Sequence, residues 1–168
     1  CSDRHGQCPS FPTHSEHHVQ SRFLRLLPHS GDPIIECPAD RHIIYSKPFR
    51  APADHARAFG LRTIESVIQA RRVLSFQGIP TILEDIWLPG QAFKGLTTAH
   101  MANYPGPTYA MLELDFGVRM VRAEEKIRAV LADTEQAALL HIAPATPLLS
   151  VERLAYTYND VPMELRRG

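Results

Sequence analysis

Neither sign of charge is in excess: 18 lysines and arginines balance 18 aspartates and glutamates over 168 residues. A chain without a net positive field exerts little long-range pull on nucleic acid, so any DNA contact is expected to be made outside it. No apolar run approaches the roughly 20 residues of a membrane span, and residues 1–20 contain no apolar signal-peptide core. Cysteine is scarce. Cys1, Cys8 and Cys37 are odd in number and show no framework spacing, which argues against a disulfide scaffold and for a reducing cytoplasm. Also missing are GxGxxG, the P-loop, HExxH and GxSxG, and with them the usual nucleotide, zinc-protease and serine-hydrolase chemistries. None of the nine histidines sits in a nucleophile–base pattern, and His100 and His141 read as loop or helix-end residues. No catalytic residue, metal site or cofactor is expected.

What is present suits one domain with a core, since 44% of the residues are hydrophobic. Residues 1–20, rich in His, Ser, Pro and Cys and poor in aliphatics, read as a tail or linker outside the fold. Cys8, His14, His17 and His18 could be drawn as a zinc set. The absence of a CxxC pair and the adjacency of His17 and His18 favour a solvated tail instead.

The most informative stretch runs from Arg71 to Pro89 and reads as two strands around a turn. Ile68, Ala70, Arg72, Leu74 and Phe76 share one face, as do Ile82, Glu84, Ile86 and Leu88. Each apolar face carries one charge, costly unless paired or turned to a ligand. A three-residue loop, Phe76-Gln77-Gly78, would set Arg72 opposite Ile82 and diagonal to Glu84 on one face. A two-residue Gln77-Gly78 turn would separate the charges, and the longer loop is the expected one. The pair is then either a structural ion pair or a ligand anchor. Trp87, on the opposite face, reads as core.

Around this hairpin, Ser21–Leu27 and Arg41–Arg50 read as extended, and Ala53–Phe59 as a short helix stopped by Gly60. A further helix is expected from Pro107 to Phe116, ended by Gly117, with Thr108 at its N-terminus as a candidate anion site. Arg119–Leu131 alternates: Val121, Ala123, Ile127, Ala129 and Leu131 form an apolar face broken by Glu125, and Arg122, Glu124, Lys126 and Arg128 a solvated one. Asp133 and Gln136 fit a capping box, and a strand from Leu148 to Tyr158 turns at Asn159-Asp160 into Val161–Leu165. Arg153 with Val161-Pro162 weakly echoes Arg72 with Ile79-Pro80, as if a second hairpin faced the same site. This order is α+β with a mainly antiparallel sheet and a few packed helices.

From about Phe49 to Glu164 the chain resembles a UTRA domain, the effector-binding half of HutC-type GntR-family bacterial regulators. The resemblance is carried in order by Arg72-Val73-Leu74, Gly78-Ile79-Pro80, Glu84, Leu88-Pro89 and Phe93-Lys94-Gly95-Leu96. It continues through Gly106-Pro107-Thr108-Tyr109, Leu112-Glu113, Phe116-Gly117, Val151-Glu152-Arg153 and Pro162-Met163-Glu164. It implies a chorismate-lyase-like fold over residues 21–168 and a small-molecule effector pocket above the sheet. It implies homodimerisation, no enzymatic activity, and DNA contact only through a winged helix-turn-helix domain that residues 1–30 do not resemble. The family's usual last segment is expected to be cut short after Glu164.

By the same resemblance, Arg72 matches the arginine that holds an anionic effector group, and Glu84 and Glu164 match acids that accept hydrogen bonds from polar ones. Tyr109, beside Thr108, matches the helix tyrosine. Leu74 stands where a second arginine would be, and Pro107 where a ligand-capping serine often is. These departures argue for a polar or acidic effector smaller or less charged than a phosphosugar. The alternative is a chorismate-lyase-like enzyme, with Arg72 holding the carboxylate and Glu84 as general acid.

Overall fold

The computed structural model describes residues 40–62 and 65–168, all within the compact unit Glu36–Gly168. The extended stretch at Ser21–Leu27 and the histidine–cysteine set of Cys8, His14, His17 and His18 lie outside the described residues. Six strands, β1 (Asp40–Arg50), β2 (Ser66–Phe76), β3 (Ile79–Pro89), β4 (Arg122–Leu131), β5 (Pro147–Tyr156) and β6 (Pro162–Arg167), form one sheet in the order β1-β2-β3-β6-β5-β4. Every neighbouring pair is antiparallel. The hairpins β2–β3 and β5–β6 thus lie side by side, joined through β3 and β6, and β1 and β4 are the edges.

The central turn differs from the expected three-residue loop. Phe76 pairs with Ile79, so the turn is the two residues Gln77 and Gly78, both at positive φ (53° and 78°). That is the type I′ geometry whose twist matches a hairpin, with glycine at its second place. Alone, this turn would have put Arg72 and Glu84 on opposite faces. A bulge corrects it: the ladder passes from Ser75↔Pro80 to Leu74↔Ile82, leaving Thr81 as the extra residue. The shift sets Arg72 directly opposite Glu84, on the same face.

Helices cover both faces. α1 (Ala53–Phe59) ends at Gly60 in the left-handed region, as its sequence demands, and lays Ala56 and Phe59 against Val67, Trp87 and Leu165. Trp87 is therefore core on that face. The other face, which carries Arg72 and Glu84, lies under α2 (Thr98–Asn103) and α3 (Thr108–Phe116). Here Ile68, Ala70, Ile86 and Leu88 pack with Phe93, Met101, Met111 and Leu112. α2 was not anticipated, although Thr97 caps it by accepting from the His100 amide at 3.1 Å. His100 bonds Asp115 across to α3 at 2.8 Å. α4 (Thr134–Leu140) starts with the full capping box between Asp133 and Gln136, ends at His141 and packs on β3. Its burial of Ala137 and Leu140 explains why this short segment is helical.

Candidate functional site

Alternation along three neighbouring strands brings four charges to the α3-covered face: Arg72 from β2, Glu84 from β3, and Glu164 and Arg166 from β6. They are among the most buried polar residues described, with Glu164 fully enclosed and Arg72 and Glu84 each 3% exposed. Arg72 Nε donates to Glu84 Oε2 at 2.6 Å, and its Nη1 donates to Thr108 Oγ1 at 2.7 Å. Glu84 Oε1 accepts from Arg166 Nη1 at 3.2 Å. Arg166 also donates Nη2 and Nε to Glu164 Oε1 at 2.5 and 3.1 Å, and Glu164 Oε2 accepts from the Tyr109 hydroxyl. The result is one hydrogen-bonded chain, Thr108–Arg72–Glu84–Arg166–Glu164–Tyr109, in which cations and anions alternate.

Alternation is what makes the burial tolerable. Burial would push the Glu84 carboxyl up, but the charges of Arg166 and Arg72 outweigh it and hold the group at about 2. Burial likewise opposes the Arg166 charge, and Glu164 and Glu84 more than restore it. The Tyr109 phenol is pushed up by burial and then by the neighbouring Glu164 carboxylate. At neutral pH the Arg72 and Arg166 guanidiniums favour the ionised Glu84, which accepts hydrogen bonds. That direction runs against the general-acid role of the lyase alternative, in which the group must carry a proton near its working pH.

A pH dependence follows. Glu84 is held at about 2 against its ordinary 4.5, so it contributes about 3 kcal/mol of stability. A depressed carboxyl gives its full contribution above its unfolded value. The contribution is lost as pH falls from about 4.5 towards about 2. Urea midpoints taken through that window are expected to fall steeply, and Glu84→Gln to flatten the fall. An equally steep profile in that variant would assign acid sensitivity to other groups.

All five residues singled out from the sequence, Arg72, Glu84, Thr108, Tyr109 and Glu164, meet in this chain. The residue missed was Arg166, which joins its two halves. Its signal was available, since it lies two residues beyond Glu164 on the same strand. Arg153 does face the same side, directly opposite Arg166. Its carboxylate partner is Glu125 of β4, met through Nε at 2.7 Å, rather than an acid of its own hairpin. The acid that interrupts the apolar face of β4 is thereby explained. A shallow cleft lined by Pro48, Phe49, Arg50 and Ser66 lies at the other end of β1 and β2 and gathers no comparable set of polar groups.

The family model described as the UTRA domain matches residues 39–168. The HTH-type transcriptional repressor PhnF of Mycolicibacterium smegmatis is 31% identical over 113 residues, 67% of this chain. The chain spans 45% of that relative's length. Among solved structures, the ligand-binding domain of a GntR-family transcriptional regulator from Bordetella bronchiseptica is similar at 49% identity and a TM-score of 0.75. That match covers 77% of this chain and 82% of that one. The effector domain of PhnF from Mycobacterium smegmatis matches at 27% identity and a TM-score of 0.67, covering 77% and 78% of the two chains. These relatives are transcription regulators rather than enzymes.

Proposed function

This chain belongs to the UTRA family, as the ligand-binding domain of a GntR-family transcriptional regulator, and on that premise we propose that it senses a small polar or acidic effector. The observation that carries the reading is the buried chain of Arg72, Glu84, Arg166 and Glu164 beneath the N-terminus of α3. Six polar side chains converge there on one face of a rigid sheet, where low dielectric strengthens every contact with a charged ligand. An effector acid would take over the Arg72 donors now given to Thr108 and Glu84, and the effector's hydroxyls or amines would face Glu84 and Glu164. DNA would be contacted by a winged helix-turn-helix domain beyond these residues, in the cytoplasm. No described helix is long and apolar enough to cross a membrane. A thermal-shift screen of acids, amino acids and sugars tests the sensor reading. A compound at 100 times its dissociation constant should stabilise by roughly 2.7 kcal/mol, and a flat response across the whole panel would sink it.

We further propose that the working unit is a homodimer built on the β4 edge. On one face of β4 and β5, Ile127, Leu131 and Leu149 are 61%, 65% and 68% exposed. They adjoin Val151, Pro147 and Ala129 across the ladder. An apolar face of this kind beside an unpaired strand edge favours a partner. Effector binding would then shift the population of dimer geometries and the spacing of the DNA-binding domains. Ile127→Glu with Leu131→Glu is expected to weaken self-association by at least about a hundredfold while leaving the melting of the monomer unit nearly unchanged. Sedimentation equilibrium reads the outcome, and an undiminished dimer would place the interface elsewhere.

A further inference from the structure

The face of the sheet opposite Arg72 and Glu84 holds an ionisable group that the site does not use. His55 comes from α1, and its ring lies against the Trp87 ring, with centroids 4.3 Å apart and planes at 37°. His55 is half-buried, yet its Nδ1 is sealed from solvent and has no hydrogen-bond partner among the described residues. A neutral imidazole with its hydrogen on Nε2 leaves only an acceptor unpaired there. A second proton would leave a charged donor unpaired, which costs more. α1 is only seven residues long, so its packing keeps it helical, with Ala56 and Phe59 buried against Val67, Trp87 and Leu165.

Charges from each neighbouring element bear on this ring. The Arg167 guanidinium of β6 lies over the same indole, 5.9 Å from its centroid. Glu152 of β5 accepts from Arg167 at 2.8 Å and faces Lys126 of β4 at 3.7 Å, so it is shared between two cations. Asp85, two residues before Trp87 on the same face of β3, gives both oxygens to Arg71 of β2 at 2.7 and 2.8 Å. On α1 itself, Asp54 faces Arg57 at 3.5 Å. Each of these carboxylates already answers a cation. Burial, and then the Arg167 charge, hold the His55 imidazole below its ordinary 6.5, and Asp54 and Glu152 act the other way without offsetting them.

We propose that His55 is an acid-sensitive clasp: as a neutral ring it closes α1 over Trp87, and on taking a second proton from solvent at Nδ1 it leaves that enclosure and loosens α1 from the back of β3. Trp87 lies three residues beyond Glu84 on β3. The clasp therefore acts from behind on the strand whose front carries Glu84, and it needs no effector to do so. The sign follows from the preference for the neutral ring. A histidine held below its ordinary value gives its full contribution above about 6.5, and the contribution is lost as pH falls through that value. This window lies above the one in which Glu84 titrates, so the two acid effects are separable.

The test uses the whole chain without ligand. Imidazole resonances followed by NMR from about pH 8 to about pH 5 are expected to place the His55 midpoint below its ordinary value of about 6.5. Over the same interval the protection of the α1 amides, corrected for the intrinsic exchange rate, should fall by up to about tenfold. That is the limit for one proton taken up on opening, one pH unit below 6.5. The emission of Trp87, the sequence's single tryptophan, should change in step. His55→Gln stays neutral and should flatten both profiles. His55→Leu fills the same apolar contact and should do the same, and thermal melting checks that each variant folds. A His55 midpoint at or above 6.5 overturns the clasp, because the enclosure would then favour the charged ring. So does wild-type α1 protection that ignores pH. A pH dependence that persists in folded His55→Leu also overturns it and assigns the effect to another histidine.

Discussion

Arg72→Ala is expected to lower the unfolding free energy of the empty domain by about 3–5 kcal/mol, the cost of breaking a buried ion pair from one side, and to remove measurable binding of an acidic effector. The stability loss has identifiable parts. Glu84 loses its 2.6 Å partner and is left to Arg166 at 3.2 Å, and Thr108 loses its donor. The vacated space lies in a row whose neighbours, Ala70 and Leu74, are themselves buried and cannot easily collapse into it. The binding loss has a separate cause, because a ligand acid brought into the same enclosure would lie beside Glu84 with one guanidinium fewer. Truncating one partner of a buried charge pair costs about 2–5 kcal/mol in binding. Arg72→Lys separates the two effects. It keeps the charge near Glu84, so much of the stability should survive, but it lacks the fork that reaches Glu84 and Thr108 together. Urea unfolding measures the first quantity and calorimetry with the screened effector the second. A folded Arg72→Ala variant that binds its effector at wild-type strength would make Arg72 a tie within the hairpin and nothing more.

That ambiguity was already visible in the sequence, and it shows how far residue patterns reach. Period-two alternation was enough to put Arg72 and Glu84 on apolar strand faces, and proline and glycine marked the ends of α1 and α3. Asp133 and Gln136 announced α4. The register around Gln77-Gly78 was not legible, because it rests on two compensating irregularities. A two-residue turn shifts the pairing by one, and the bulge at Thr81 shifts it again. No local propensity reports a bulge whose value lies in realigning charges two or three residues away. The same holds for the site. Glu164 was identified through its family resemblance, whereas Arg166 lies beyond the matched motif. Only the sheet order, which places β6 between β3 and β5, joins it to Arg72 through Glu84. The apolar face of β4 was read correctly as a pattern. Its exposure was not readable, since alternation says which residues share a face and not what covers it.

Glu164→Ala is expected to match or exceed the effect of Arg72→Ala on stability, at about 3–5 kcal/mol. Glu164 is fully enclosed, and three donors converge on its two oxygens: Arg166 Nε and Nη2 on one, the Tyr109 hydroxyl on the other. Its loss leaves Arg166 with only the longer 3.2 Å bond to Glu84 as a carboxylate contact, and turns the chain of alternating charges into two cations sharing one anion. Glu164→Gln keeps the volume and one acceptor oxygen, so it should cost less, about 1–3 kcal/mol. Its amide nitrogen, a donor, must then face either Arg166, which has no acceptor to offer, or the Tyr109 hydroxyl, which would have to turn from donor to acceptor. Tyr109→Phe provides the coupling test. Alone, it removes one hydrogen bond to a charged group and should cost about 1.5–3 kcal/mol. In the Glu164→Ala background the acceptor is already gone, so the same change should cost nearly nothing, and the double variant should fall short of the sum by most of that amount. Additive losses in urea unfolding would mean that the two side chains stabilise the domain independently. The buried row would then be a set of separate contacts rather than one connected network through which a ligand at Arg72 could reach α3.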